Sequence, residues 1–206
     1  MGTRVGVMEV VSFKQKMQLA REDVILEAVN HLLASKGFEL MTVDEVAAEA
    51  GIAKASLYRH FASKEELAAA AMVRMLDQAL ALADSLPEQV GPVEKLQALA
   101  RWAMQTQLAG QMPALPHANS ALVGALSRHQ VYLERVFRLS DRMGEWIVQA
   151  QELGLLAADL PPQLILYNLF ARACDPVLHF LKATGAHSDE EIIALLLRTT
   201  FTGLAR

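Results

Sequence analysis

The residues able to carry chemistry gather in two short segments of the chain. The first, residues 51–67, reads GIAKASLYRHFASKEEL. Its charged or donor side chains include Lys54, Arg59, His60 and Lys64. No acidic residue occurs from Gly51 through Lys64. The second contains the one cysteine, Cys174, with His179 five residues later. Cationic donors on a short helix suit phosphates and base edges, whereas a Cys–His pair suits nucleophilic catalysis.

The Cys–His pair supports an enzyme only weakly. Side chains five residues apart on a helix point in different directions, although Pro176 between them can change the backbone. The sequence has no Gly-rich phosphate loop, HExxH or GxSxG motif. The six histidines include no i,i+4 pair, so a metal site is not indicated. We therefore expect no catalytic residue, metal or cofactor, and keep a helical enzyme using Cys174 and His179 as an alternative.

The composition indicates that any attraction to nucleic acid has to be local. The 206 residues are 53% apolar and carry a formal net charge of −4. A single cysteine excludes an internal disulfide and fits a reducing cytoplasm. Charged residues interrupt the first twenty positions, so we expect no secretory signal. Residues 102–127 are free of Asp, Glu, Lys and Arg, but their prolines and glutamines do not suit lipid. We expect a cytoplasmic protein without membrane contact.

Apolar residues recur at helical spacing along the whole chain, which predicts an all-α fold. Capping-box pairs mark helix starts after Thr42, Ser63 and Ser188, with Ser12 the weakest of the four. About nine helices are predicted, over residues 22–35, 42–50, 54–60, 63–85, 93–108, 120–126, 128–153, 161–183 and 189–204. Pro176 is expected to kink or interrupt the eighth of these, because proline removes a backbone donor.

The first three predicted helices have the lengths and spacing of a helix-turn-helix. Gly51 follows the second helix, where a left-handed backbone is usual and glycine adopts it without strain. Leu57 and Phe61, four residues apart, share one face of the third helix and are expected to pack on the first two helices. The opposite face then exposes Lys54, Ala55, Tyr58 and Arg59.

That face suits the major groove of DNA. Ala55 and Ser56 allow close approach, and long donors at Lys54 and Arg59 can reach guanine O6 and N7. The donors suited to backbone phosphates, which set register without reading sequence, are Tyr58, His60 and Lys64. The alternative is a solvated basic turn in an ordinary helical protein.

The segments TVDEVA (42–47), GIAKASLYRHF (51–61) and SKEEL (63–67) together resemble the DNA-binding domain of the tetracycline-repressor (TetR) family. The resemblance covers about residues 22–67. It implies a homodimeric bacterial transcription factor, usually a repressor, with an all-helical ligand-binding and dimerisation domain after the DNA reader. Carried onto this chain, it places base contacts on Lys54, Ala55, Ser56 and Arg59, and phosphate contacts on Thr42, Tyr58, His60 and Lys64. Ala53 and Ala55 stand where family members vary, so the operator sequence does not transfer.

Three segments are expected along the chain. They are an amino-terminal arm over residues 1–20, a helix-turn-helix DNA-binding domain over 21–67, and an effector-binding and dimerisation domain over 68–206. The basic residues in or beside the arm, which suit a minor groove, are Arg4, Lys14, Lys16 and Arg21. A frayed tail is the alternative for this arm.

Bulky side chains in the second half predict an apolar effector site. A single methionine or aromatic residue at helical spacing is more often core than pocket, but as a group these residues are abundant for a small bundle. The predicted ligand-binding residues are Trp102, Gln105, Met143, Trp146, Phe170 and His179. The expected effector is a small, mainly apolar molecule.

The last two predicted helices are apolar nearly all round and must be covered by something. A second copy about a twofold axis provides that cover and places two readers at successive half-sites. Burial within one protomer is the alternative. The predicted dimerisation residues are Phe170, Val177, Leu181, Ile193, Leu196 and Leu197.

The sequence thus predicts a ligand-responsive regulator that binds a palindromic operator in double-stranded DNA as a homodimer. Repression, relieved by the effector, is the expected mode of action. A DNA-binding regulator without small-molecule control is the second alternative.

Overall fold

The computed structural model describes residues 13–113 and 120–204, with side chains described from Ala20 onward. Within these ranges the chain is helical and contains no strand, which confirms the all-α prediction. The helices are α1 (Phe13–Leu40), α2 (Val43–Glu49), α3 (Lys54–Leu57), α4 (Lys64–Ser85), α5 (Pro92–Leu108), α6 (Ala121–Leu126), α7 (Gln130–Glu152), α8 (Pro162–Ala171), α9 (Pro176–Thr184) and α10 (Asp189–Thr202).

The first helix is longer than the predicted 22–35. It begins at Phe13, directly after the capping-box candidate Ser12, so the helix includes part of the segment predicted as an arm. Gly37 has φ 76° and ψ 171°, and this non-helical backbone ends the regular helix where the sequence indicated. Ser12 and Arg4 lie outside the described residues.

The third helix is shorter than predicted. It ends at Leu57, because the N–H groups of Arg59 and His60 donate to carbonyls three residues back rather than four. Such bonds tighten the chain into turns. The segment from Lys54 to His60 is therefore one helical turn followed by a tight, non-helical continuation.

The tenth helix arises from the break expected at Pro176. The predicted helix over 161–183 is divided into α8, a 3₁₀ turn at Arg172–Cys174, and α9. The Asp175 side chain caps α9 by accepting a hydrogen bond from the Val177 N–H at 3.0 Å. Proline at the first helical position then replaces a donor that would have no partner within the helix.

Three clusters of buried apolar side chains form the core. The first joins α1, α2 and α3 to the start of α4, and Leu122 and Leu126 of α6 complete it. The second lies among α4, α5, α7 and α8, and the third among α5, α9 and α10. We refer to α1–α3 as the head and to α5–α10 as the body. Helix α4 contributes side chains to the first and second clusters and so joins the head to the body.

No single helix in the described ranges combines the length and apolarity needed to cross a bilayer. The segments Pro162–Cys174 and Pro176–Thr184, bent by 44° at their break, meet that test only when taken together.

Candidate nucleic-acid interface and effector cavity

A polar network holds the start of α2 in the head. Thr42 accepts a hydrogen bond from the Glu45 N–H at 3.3 Å, and Glu45 accepts from the Thr42 N–H at 3.0 Å, which confirms the predicted capping box. Lys36 of α1 donates to the same Glu45 carboxylate at 2.5 Å. These donors lower the pKa of Glu45 to about 2, with the Lys36 bond contributing most. The anionic carboxylate thus ties α1 to α2.

The turn between α2 and α3 has the expected glycine geometry. Gly51 has φ 66°, and the Ile52 N–H donates to the Ala47 carbonyl at 3.0 Å. Behind the turn, Leu57 is 1% exposed and packs in the head cluster with Val46 and Phe61. Because this face of α3 is buried, the opposite face of the helix points away from the head cluster.

The outer face of α3 lies in solvent. Lys54, Ala55, Tyr58 and Arg59 are all exposed, and Ser56 is half-buried. The small residues and the long donors predicted to meet DNA therefore share one accessible surface of the head. We call this surface, with the residues that flank it, the DNA face.

A carboxylate adjoins the first cation of that face. The Lys54 ammonium lies 2.8 Å and 2.9 Å from the two carboxylate oxygens of Asp44 on α2. The hydrogen bond to Asp44 raises the pKa of Lys54, so the ammonium stays charged. Because Asp44 is itself exposed, any phosphate that approaches Lys54 also approaches a negative charge.

The other cations of the DNA face are less constrained. Arg59 donates to the Ser56 hydroxyl at 3.1 Å, an exchangeable neutral partner. Lys64, at the first position of α4, donates to the Glu39 carbonyl at 3.2 Å and lies 4.3 Å from the centre of the Phe38 ring. Neither cation is paired with a carboxylate in these contacts.

Two predicted phosphate ligands already have other partners. The Thr42 hydroxyl donates its only proton to Glu45 at 2.8 Å, so it has none left for a phosphate. The His60 ring nitrogen Nδ1 lies 3.3 Å from the Glu22 carboxylate of α1, and the side chain is largely buried. If Nδ1 donates to Glu22, the Nε2 atom can donate to a phosphate only in the doubly protonated ring.

An apolar cavity lies in the body, beside α4. It has a volume of about 280 Å³ and lies among α4, α5, α7, α8 and the 3₁₀ turn. Met72 and Met75 of α4, Met112 and Tyr132 line it, and no described lining residue is charged. Burial raises the pKa of the Tyr132 hydroxyl, as expected where water is scarce. Met72 and Tyr132 also pack against the head cluster, so the cavity shares walls with the head.

The predicted ligand-binding residues divide between the cavity and other places. Trp102, Met143 and Phe170 line it. Trp146 is buried in the adjoining core cluster and does not line the cavity, and Gln105 and His179 are exposed outside it. Helical spacing alone did not reveal which side of α5 and α9 faces inward. Met72 and Met75 of α4 were not among the predicted ligand-binding residues. They belong to an apolar stripe on the helix that follows the head, and this stripe is visible in the sequence.

The predicted dimerisation residues are similarly divided. The structure places Ile193, Leu196 and Leu197 in the third core cluster, where α5 and α9 of the same protomer cover them. These three side chains are therefore not available to a second copy in this conformation. Leu181 is half-buried against the same cluster and Phe170 lines the cavity. Val177 alone of the six is exposed.

Large apolar side chains nevertheless remain uncovered on α8 and α9, which we call the α8–α9 apolar surface. Its exposed side chains are Leu164, Tyr167, Val177 and Phe180, with Phe180 70% exposed. Leu160 before α8 and Leu204 after α10 are exposed as well. The break at Pro176 keeps α8 and α9 from forming one continuous helix under this surface.

The residues of the enzyme alternative occupy different environments. Cys174 lines the apolar cavity, whereas His179 is exposed on α9. In the described part of the chain, no group of three or more His, Cys, Asp or Glu side chains is arranged to hold a metal ion.

The fold and the DNA face together define a class of protein: an all-helical chain with an amino-terminal helix-turn-helix and a helical body that contains a cavity. Residues 25–71 match the model of bacterial regulatory proteins of the tetR family. The chain therefore has the amino-terminal domain of this family, and the resemblance seen in the sequence is confirmed.

A curated relative agrees with this assignment, and solved structures share the fold. The chain is 37% identical over 81 residues to the HTH-type transcriptional repressor KstR2 of Mycobacterium tuberculosis (strain CDC 1551 / Oshkosh), a match that covers 39% of this chain and 40% of that repressor. The regulator FadR from Bacillus subtilis, solved with stearoyl-CoA, is 16% identical with a TM-score of 0.66, over 89% of this chain and 99% of that one. AibR, solved with isovaleryl coenzyme A and operator DNA, is 23% identical with a TM-score of 0.62, over 88% and 98%.

Proposed function

We propose that this protein is a transcriptional repressor that binds a palindromic operator as a homodimer and is released by a small, mainly apolar effector. The observation that carries the proposal is the exposed DNA face above a buried Leu57. A helix-turn-helix presents this side of its second helix to the major groove. The family match over residues 25–71 and the repressor KstR2 among the relatives support the same function.

The roles of the contact residues follow from their surroundings. Base contacts fall to Lys54, Ala55, Ser56 and Arg59, which lie on or beside the exposed side of α3. Tyr58 and Lys64 provide phosphate contacts with the least rearrangement, because neither hydrogen-bonds to a carboxylate in the described contacts. His60 and Thr42 join them only after exchanging partners, His60 as the doubly protonated ring and Thr42 by leaving Glu45.

Dimerisation supplies the second head. A palindromic operator presents two half-sites about one DNA turn apart, so a single head reads only half of it. We assign the dimer surface to the exposed apolar side chains of α8 and α9, chiefly Tyr167 and Phe180, in place of the buried residues of α10. Apolar surface of this kind is stabilised when a second copy covers it.

Effector control rests on the cavity in the body. An apolar cavity without a charged lining takes an uncharged aliphatic or aromatic group. Two structural neighbours are solved with acyl-CoA ligands, which carry aliphatic groups of this kind. Because Met72 and Tyr132 contact both the cavity and the head cluster, a molecule that fills the cavity acts on the head through α4 and the start of α7. It does so only by its different affinity for two head positions. A regulator without ligand control is less well supported, since its body has no need of a cavity.

The test begins with DNA selected by the purified protein from a random pool. Two phosphate contacts per protomer, or four once His60 and Thr42 have exchanged partners, predict that log K for the selected sequence falls against log salt with a slope of roughly −4 to −7. A two-fold symmetric consensus with that slope supports the proposal. A slope near zero, or a consensus without symmetry, contradicts the DNA contacts or the dimer respectively.

Effector control is tested by filling the cavity. Ala103 lines it from α5, so Ala103→Leu should abolish compound-induced release of DNA while DNA binding itself is retained. Gln105→Leu changes an exposed residue of the same helix and serves as the control. Release that is unchanged in Ala103→Leu places the effector elsewhere.

A further inference from the structure

We infer that the effector is an amphiphile whose polar end carries hydrogen-bond donors and no negative charge, and that this end lies in a polar groove between the head and the body. The inference rests on the effector cavity of the proposed function and adds to it a second compartment. It also assigns a head-group chemistry that differs from the coenzyme A thioesters of the structural neighbours.

The groove adjoins the apolar cavity. It has a volume of about 650 Å³ and lies between α1 and α2 of the head on one side and α4 and α5 on the other. Met75 and Trp102 line both the cavity and the groove. A molecule longer than the cavity therefore has a polar space next to it, bordered by the same two side chains.

A buried acceptor without a partner marks the head side of the groove. Asn30 of α1 lines it and is 7% exposed, and its side-chain oxygen has no hydrogen-bond partner among the described residues. Leaving a buried amide oxygen without a donor is unfavourable, and most such groups in proteins are satisfied. A ligand N–H or O–H is the complementary group for this oxygen.

The charged side chains around Asn30 favour a donor over an anion. Arg74, the arginine of the described groove lining, already donates to the Asp23 carbonyl at 2.7 Å and to Glu27 at 3.3 Å. His31 is engaged with Glu49 at 2.6 Å. A carboxylate has about four acceptor positions, so Glu27 and Glu49 retain capacity to accept further bonds. The groove thus offers acceptors, and its cations are already occupied.

The same reasoning disfavours a coenzyme A head group. Its phosphates need several cations, and the described lining of the cavity and groove contains no unoccupied lysine or arginine. A primary ammonium has three donors, enough for the Asn30 oxygen and for a carboxylate of the groove lining, and it carries no acceptor that would need a free cation. Because the groove touches the head and the body at once, a ligand end bound there contacts both sides, and its affinity depends on how far apart they lie.

Three probes that share an eight-carbon chain and differ in head group distinguish the contribution of the head group to binding from that of the chain. Octylamine, octanoate and octanoyl-CoA are titrated into the purified protein by calorimetry, below their micelle concentrations. Octylamine should bind at least about tenfold more tightly than octanoate, as expected for one additional charge-assisted hydrogen bond. It should also release the selected DNA at correspondingly lower concentration.

Variants assign the preference to the groove. Asn30→Leu should weaken octylamine binding about tenfold and leave octanoate binding unchanged, whereas Gln105→Leu, outside the groove on α5, should change neither. If Asn30→Leu does not fold, Glu49→Gln, at an exposed position of the groove lining, makes the same test by removing an acceptor charge from the groove. Equal binding of the three probes, or a preference for octanoyl-CoA, overturns the head-group inference and leaves the cavity in place. Failure of all three to bind overturns the effector cavity itself, while DNA selection tests the DNA face separately.

Discussion

The DNA face of the head and the cavity of the body are held by different kinds of contact, although both regions have a buried apolar core. In the head, short polar contacts between residues close in sequence, such as Thr42 with Glu45 and Asp44 with Lys54, hold the DNA face in place. In the body, the cavity is lined by side chains from Met72 to Cys174, drawn from several helices. The head presents charge on a surface, and the body encloses apolar space.

This difference explains why the two regions respond differently to change. A surface made of a few exposed side chains can be altered one residue at a time with the fold intact. A cavity is defined by the packing of all its walls, so a change in any wall alters its volume. The family resemblance accordingly covers the head, whereas the structural likeness to FadR and AibR extends over the body at low sequence identity.

The largest expected effect is a loss of head stability in Leu57→Ala, which can be measured separately from the stability of the body. Leu57→Ala removes a buried anchor of the head and should cost about 2–5 kcal/mol of its folding free energy. Trp146 is buried in the body and Trp102 lies on α5 at the groove, so tryptophan fluorescence reports mainly on the body, whereas circular dichroism reports on all helices. We expect denaturant transitions followed by the two methods to separate in the variant, and DNA binding to be lost.

Met143→Ala, in a wall of the cavity, is the matched body variant. It should shift the fluorescence transition and keep DNA binding at low denaturant. Coincident transitions in Leu57→Ala would mean that head and body unfold as one unit through α4, and the division drawn between them would fail.

A smaller effect is expected from Arg59→Ala, which removes one predicted base contact from the DNA face. Loss of a bidentate base contact costs about 1–3 kcal/mol on the selected operator and less on unrelated DNA. The ratio of the two affinities, measured by fluorescence anisotropy, should therefore fall. Arg142→Ala, which removes an arginine paired with Asp84 in the body, should leave the ratio unchanged. Equal weakening on both DNAs would make Arg59 a phosphate contact instead.

Asp44→Asn should act in the opposite direction on affinity. Removing the carboxylate beside Lys54 frees the ammonium for DNA and removes a negative charge from the DNA face. We expect binding to selected and unrelated DNA to tighten by roughly two- to fivefold at low salt, with the gain decreasing as salt rises. Asp84→Asn, near the end of α4 and paired with Arg138 and Arg142 of the body, provides the control. Weaker binding by Asp44→Asn would show that Asp44 positions Lys54 for DNA instead of competing for it.

The smallest expected effect is a pH dependence of the head. Glu45 has its pKa lowered from 4.5 to about 2, so its contribution to stability is complete above about pH 4.5 and is lost as the pH falls through about 2. The stability gap between the wild-type protein and Glu45→Gln, followed by circular dichroism, should therefore close over that range.

Glu191 is the corresponding capping residue in the body. Hydrogen bonds from Ser188 also lower its pKa, but no lysine is among the causes. The difference in stability between the wild-type protein and Glu191→Gln should also close as the pH falls. It should be smaller than the difference for Glu45→Gln. A larger gap for Glu191 would show that Lys36 adds little to the head.

Most of the head was predictable from sequence because its determinants are local. A capping residue, a glycine in a left-handed turn and two apolar residues four apart each act within a few positions of themselves. Leu57 is buried and Lys54, Tyr58 and Arg59 are exposed as predicted. The partners Asp44 and Glu22 were not predicted, because the first depends on the angle between α2 and α3 and the second lies far away in sequence.

The body was less predictable than the head because its determinants lie far apart in the sequence. Residues such as Ile193, Leu196 and Leu197 are apolar whether a second copy or the same protomer covers them, and hydrophobicity does not distinguish the two. Whether a side chain on α5 faces the cavity or solvent, as for Trp102 and Gln105, depends on how helices distant in sequence pack against it.

The sequence by itself determined the helical class, the break at Pro176 and the side of α3 that faces outward, because each follows from short-range backbone chemistry and apolar spacing. The tertiary structure decided where the body keeps its cavity, which apolar residues remain uncovered, and that Asn30, whose buried oxygen has no partner among the described residues, lines a polar groove beside that cavity. These features depend on the packing of segments far apart in the chain, and no local pattern records that packing.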